Sequence, residues 1–255
     1  MEKNNNEKDF IYGKNSILEA LKNNPRRINK IIISKNIHSD IKINEIIEIA
    51  KFEKIVFQFV PKEKFVNFKD IAHQGIIAFV APIEYMELDD FIELNKKNAK
   101  LVALDGVQDP HNLGAIIRTC VCAGFDGIIL SQRKNTLVTS IVEKTSAGAV
   151  NHIPIILVNS LSSALERLKK RDYWIIAADA KGKDNYFEVD YTDMNIVIVM
   201  GSEGAGVSKT ILNTSDIIVK IPMLCNFNSL NVSNAAAILI YEVTKQIVQK
   251  SKNNV

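Results

Sequence analysis

The sequence predicts an α/β protein in two parts, a small mixed unit followed by a larger one built on a parallel sheet. Three observations carry this. From Leu101 onward, apolar runs recur that read as continuous rather than alternating strands, and helical periodicity separates most of them. Three polar segments rich in Gly, Asn and Ser each begin where such a run ends. A strand covered on both faces has no solvent side, so it loses the in-out alternation of a half-exposed strand. In sheets of this kind, ligands bind beyond the carboxyl ends of the strands.

The expected division is a first unit over 8–83, a charged connector over 84–99 and a second unit over 100–250. In the first, Ser16 to Leu21 and Asn44 to Lys51 read as helices, and Lys30 to Ser34, Ile55 to Val60 and Ile76 to Val80 as strands. Glu84 to Lys100 is charged and poor in β-branched residues, which suits a linker with one or two helical turns. The second unit is expected to hold strands at Leu101 to Leu104, Gly127 to Leu130, Ile153 to Val158, Trp174 to Ala178, Ile196 to Met200 and Asp216 to Ile221. Helical patterns run from Leu161 to Arg171 and from Ala235 to Val248.

Composition bounds the partners. With 255 residues, 47% of them hydrophobic, the chain can bury a substantial core. No apolar run reaches membrane-span length, and Met1 to Asn6 is polar, so the expected location is the cytoplasm with no membrane partner. A net charge of +3 permits nucleic acid without requiring it. Cys120, Cys122 and Cys225 lack C-x-x-C spacing, and no metal is expected. Met1 to Lys8 and Lys250 to Val255 read as frayed ends.

The glycine-rich segment Gly201-Ser202-Glu203-Gly204-Ala205-Gly206 is spaced G-x-x-G-x-G with no Lys-Ser or Lys-Thr after it, which excludes a P-loop and a dinucleotide fingerprint. A loop that lets backbone approach a ligand, with Glu203 at its centre, remains. Asn112 follows Pro110 ahead of a periodic apolar run and fits an N-cap. Ser229 and Asn231 fit turn and cap positions, and His73-Gln74-Gly75 fits turn chemistry. The basic cluster Lys22, Arg26, Arg27 and Lys30 reads as a solvated face. Arg118 stands out as a charge in the apolar stretch Leu113 to Cys122, where burial demands a partner or a task; its fork of donors suits a phosphate.

Together and in this order, the three segments resemble the three motifs of the SpoU/TrmH family of RNA ribose 2′-O-methyltransferases. Asn112, Gly114, Ala115 and Arg118 match the first motif. Met200, Gly201, Glu203 and Gly206 match the second, and Ile221 to Ala235 match the third, except that Cys225 stands where the family has glycine. Tyr12 to Leu21 and His73 to Ala78 resemble the substrate-binding domain of one branch, the RlmB type, which methylates a guanosine of 23S rRNA. The resemblance implies a SPOUT fold with a deep trefoil knot, preceded by a small RNA-binding α/β domain similar to a ribosomal protein. It implies S-adenosyl-L-methionine as cofactor, held around Gly201, Ile221, Met223 and Leu230. It implies Arg118 at the RNA as base or electrostatic stabiliser, with Asn112, Glu203, Ser229 and Asn231 in support, and a homodimer. A tRNA 2′-O-methyltransferase and a non-catalytic RNA-binding or ribosome-assembly protein are the alternatives.

Overall fold

The structure, a computed structural model, describes residues 9–38, 40–94, 96–225 and 229–253. Residues 1–8 of the polar N-terminal tail, the last two residues of the C-terminal one, and Asn226, Phe227 and Asn228 of the third motif lie outside them. In chain order the elements begin with β1 (Phe10–Tyr12), α1 (Lys14–Asn23), β2 (Ile28–Ser34), α2 (Ile41–Phe52), β3 (Val56–Val60) and β4 (Ile76–Val80). Next come α3 (Leu88–Glu93), β5 (Lys100–Asp105), α4 (Pro110–Cys122), β6 (Gly127–Ser131), α5 (Ser140–Thr145), β7 (Ile155–Val158) and α6 (Leu161–Lys169). The last are β8 (Tyr173–Ala178), β9 (Asp184–Asn185), β10 (Asn195–Gly201), α7 (Lys209–Thr214), β11 (Ile217–Lys220) and α8 (Val232–Asn253). The described residues form two compact units: those up to 84 together with 138–152, and those of 85–137 together with 153–253.

The first unit is a four-stranded mixed sheet in the order β1-β4-β2-β3, with α1 and α2 on one face. Helix α2 starts at Asp40, whose carboxylate accepts from the Ile43 amide at 3.0 Å, and turns Ile43, Ile46 and Ala50 inward. The turn at His73 is as the sequence reads it: its Nδ1 accepts from the Gly75 amide at 2.9 Å, and its ring stacks on Phe65. The basic cluster departs from expectation at one residue, Arg27. Lys22 pairs with Glu45 near the surface, but Arg27 is buried, with Nε donating to the Ala81 carbonyl and Nη2 2.5 Å from Glu143 Oε1 of α5. Two opposite charges tolerate such burial as a pair, and removing either partner of a pair like this typically costs about 3–5 kcal/mol. A sequence window around Arg27 cannot contain its distant partner.

The second unit is a seven-stranded sheet, every pair parallel, in the order β7-β6-β5-β10-β8-β11-β9. The continuous apolar runs have the predicted cause: Leu101, Val102, Ala103, Leu104 and Ile196 to Val199 are all fully buried. One face is covered by α3, α6 and α7 through Leu88, Phe91, Leu165, Leu168 and Ile211. Helix α8 packs against α4 and β10, burying Val232, Ala236, Leu239, Ile240 and Val243 at helical spacing. It runs further than expected, because Lys250 to Asn253 continue it; the Lys250 ammonium is anchored by Asp193 and by Thr192 Oγ1. Register then positions the motifs. Asp105 at the end of β5 pairs with Gly201 at the end of β10, and Met200 pairs with Ala178 of β8, itself opposite Val219 of β11. Four neighbouring carboxyl ends therefore open at one level of the sheet.

Candidate active site

Helix α4 begins one turn earlier than the cap reading of Asn112 requires. Its N-cap is Asp109, whose carboxylate accepts from the His111 amide at 2.9 Å, and Pro110 occupies the first helical position, where its missing N–H costs nothing. Asn112 is instead the third helical residue, and its buried side chain is free to serve the site. After β10, the chain makes a tight loop: the amides of Ser202 and Gly206 each donate to the other's carbonyl, at 3.1 and 3.0 Å. This closure leaves no room beside Gly201, and it carries Glu203 at the loop's tip. Asn231 immediately precedes α8, and its Oδ1 accepts from the Ser233 amide at 2.9 Å and from the Ser233 hydroxyl at 2.6 Å. It is a cap, as its residue type suggests, and a member of the site as well.

These three residues, from three separate segments, close a triangle. Asn112 Nδ2 donates to Glu203 Oε1 at 2.9 Å, Asn231 Nδ2 donates to the same oxygen at 2.6 Å, and Asn231 Nδ2 also lies 3.0 Å from Asn112 Oδ1. A carboxylate only accepts, so both amides must turn their nitrogens to it, which fixes their orientation. Beside the triangle, a cavity of about 390 Å³ is lined by Gly201, Ile221, Met223, Ser229 and Leu230, together with Glu203 and the turn 178–181 after β8. The structure thus brings together Asn112, Glu203, Ser229 and Asn231 with the four residues expected to hold a cofactor.

Arg118 is placed apart. It lies six residues beyond Asn112 on α4, about 9 Å along the axis and about 240° around it, so it leaves the helix on a different face. Its side chain is exposed and makes no hydrogen bond or ion pair among the described residues. The apolar stretch that implied burial is apolar on its inward face, at Leu113, Ile116, Ile117 and Cys120, and Arg118 occupies the other face.

Sequence reasoning missed two residues that tie together the backbone segments beside the site. Asp105, 4% exposed, accepts from the Ser208 amide at 2.8 Å and from Lys134 Nζ at 3.1 Å, tying the end of β5 to the far end of the 201–206 loop. Burial pushes its carboxyl upward, but the Ser208 and Lys134 contacts outweigh burial and hold it below the usual carboxylate range, so it carries charge at neutral pH. Asn135 Oδ1 accepts from the amides of Gly106 and Val107 at 3.0 and 2.7 Å, while Nδ2 donates to the Leu104 carbonyl at 2.8 Å. The available signal was a carboxylate ending an apolar strand ahead of a glycine; Asn135 had none. Among the described residues, no group of three or more His, Cys, Asp and Glu could hold a metal ion, and no helix is long and apolar enough to cross a membrane.

Known protein families match the chain in two successive stretches, the second of which includes the 138–152 segment that packs with the first unit. The model of the SpoU rRNA methylase family matches residues 99–241, and one for RNA 2′-O ribose methyltransferase substrate binding matches residues 10–86. A Staphylococcus saprophyticus protein assigned to the TrmH family of tRNA/rRNA methyltransferases is 40% identical over 243 residues, covering 94% of this chain and 96% of that protein. The crystal structure of the SpoU methyltransferase AviRb from Streptomyces viridochromogenes superposes with a TM-score of 0.80 at 19% identity, over 95% of this chain and 90% of that one. The AdoMet-bound rRNA methyltransferase from Sinorhizobium meliloti gives a TM-score of 0.79 at 23% identity, over 94% and 87%.

Proposed function

Because the chain belongs to the SpoU rRNA methylase family of RNA methyltransferases, we propose that it transfers a methyl group from S-adenosyl-L-methionine to a ribose 2′-hydroxyl, the acceptor being a guanosine of 23S rRNA. The observation that carries this reading is the Asn112–Glu203–Asn231 triangle at the edge of the cavity lined by Gly201, Ile221, Met223 and Leu230. The AdoMet-bound fold relative and the match of residues 10–86 to a ribose methyltransferase substrate-binding model support it.

The residues fit the cofactor. Ile221, Met223 and Leu230 offer apolar wall, Gly201 contributes backbone to the same lining, and Glu203 supplies a negative charge suited to a sulfonium cation. When bound, the cofactor supplies a methyl group already activated by that positive charge. The protein's remaining task is positioning. The triangle holds Glu203 and both amides in one arrangement, and Ser229 adds a hydroxyl to the same wall. Arg118, exposed on another face of α4, offers a positive fork of donors to an RNA phosphate, and the family resemblance gives it the role of base or electrostatic stabiliser at the 2′-oxygen.

The experiment is transfer of labelled methyl from S-adenosyl-L-methionine to unmodified 23S rRNA and, separately, to bulk tRNA, with Arg118→Ala as control. Transfer to rRNA alone, mapped to a ribose and reduced about 10²–10³-fold in the variant, is expected. Transfer to tRNA alone moves the substrate, and cofactor binding with no transfer to either RNA overturns both. A pH–rate profile whose limbs do not depend on Arg118 separates an electrostatic role from proton transfer.

A cytoplasmic homodimer and the trefoil knot belong to the same reading. Tyr241 and Val248 are half-exposed on α8, an apolar surface that a second copy would cover. Sedimentation should give a dimer; a fully active monomer would sink this part.

A further inference from the structure

Resting on the methyl-transfer reading, we propose that a second cleft beside the cofactor cavity receives the acceptor nucleotide, and that Arg133 in its wall grips the RNA phosphate next to the target ribose. The cleft measures about 630 Å³, within the usual range for small-molecule sites. It lies between the end of β5, the 131–135 loop and the 201–206 loop. Residues 202–206 and Val232 line both this cleft and the smaller cavity, so the glycine-rich loop is a common wall. Whatever occupies the cleft therefore lies against Asn112 and Glu203, the two members of the triangle that line it.

The charges of the cleft sort themselves by partner. Three carboxylates line it, and each is engaged: Asp105 with Lys134 and the Ser208 amide, Asp109 with the His111 amide at the cap of α4, and Glu203 with the two amides of the triangle. Of the two cations, Lys134 is committed to Asp105. Arg133 is exposed and has no hydrogen bond or ion pair among the described residues. Its planar fork of donors is the cleft's uncommitted positive group and matches a phosphate geometrically. The loop that presents it is held, because the nearby Asn135 is tied to three backbone groups of 104–107, so a phosphate bound at Arg133 is registered against the triangle.

The test uses the full chain and whichever of 23S rRNA and tRNA the wild type methylates. Arg133→Glu should raise KM for RNA about tenfold or more while kcat and calorimetric affinity for S-adenosyl-L-methionine stay within about twofold. Arg133→Lys should recover part of the loss, and Arg133→Ala should reduce the slope of log affinity against log salt by about 1. A KM for Arg133→Glu within twofold of wild type overturns the proposal, as does a loss confined to kcat or to cofactor affinity. RNA affinity by fluorescence anisotropy is measured in parallel. If the wild type binds cofactor and RNA but transfers no methyl group, the methyl-transfer reading fails; the cleft fails separately if wild type and Arg133→Glu then bind RNA equally.

Discussion

Gly201→Ala is expected to weaken binding of S-adenosyl-L-methionine by about 10²-fold or more. A Cβ built on Gly201 would stand 2.0 Å from the carbonyl carbon of Gly206 and 2.3 Å from both the Gly206 oxygen and the Val207 nitrogen. These are backbone atoms, which no rotamer change can move. The loop must open, and the paired Ser202 and Gly206 hydrogen bonds that close it are lost with it. Two backbone hydrogen bonds at about 1–1.5 kcal/mol each correspond to roughly that factor, before any distortion of the shared wall is counted. Titration calorimetry on folded variant measures the effect, with circular dichroism to verify the fold. An affinity within threefold of wild type would show that the loop does not shape the cofactor cavity.

Glu203→Ala is expected to reduce the rate of methyl transfer at saturating cofactor about 10²-fold. Removing the carboxylate takes away the common acceptor of Asn112 and Asn231, and the buried Asn112 amide keeps only a 3.4 Å contact to Asp109 Oδ2 for its nitrogen. Two amides then lose their fixed orientation at the point where a nucleophile must be aligned, and misplacement on the order of 1 Å is enough for that loss. Glu203→Gln retains an oxygen that can accept from both amides while deleting the charge, so it divides the effect between geometry and electrostatics. Steady-state kcat with both variants gives the answer. Wild-type rates in Glu203→Ala would reduce the triangle to a device that joins α8 to α4.

Gly201 and the Asn112–Glu203–Asn231 triangle are not equally legible in the sequence. The constraint on Gly201 follows from a segment whose glycines already announce close backbone approach. The triangle requires knowing that the ends of β5 and β10 are register partners and that α8 starts beside them, which no spacing in the chain encodes. Asn112 shows the difference at one residue: its type and its place after Pro110 suit a cap, but Asp109, one position before the proline, holds the cap and releases Asn112 to the site. Arg118 shows the opposite error. The stretch around it is apolar on average, and only helical phase reveals that its own face is exposed.

Local chemistry in the sequence determined the elements of this protein: continuous apolar runs became the buried parallel strands, and helical spacing became α6 and α8, with boundaries shifted by a few residues. It also determined which residue types stand at the strand ends, because glycine, asparagine and proline constrain the backbone wherever they occur. The tertiary structure alone decided the pairings across long separations. It set Arg27 against Glu143 in the first unit, Asp105 against Ser208 and Lys134, and Asn112 with Glu203 and Asn231. The physical reason is that propensity and periodicity act within a turn or a strand, whereas burial of a charge or an amide is stable only once the folded chain has brought its partner within hydrogen-bond distance.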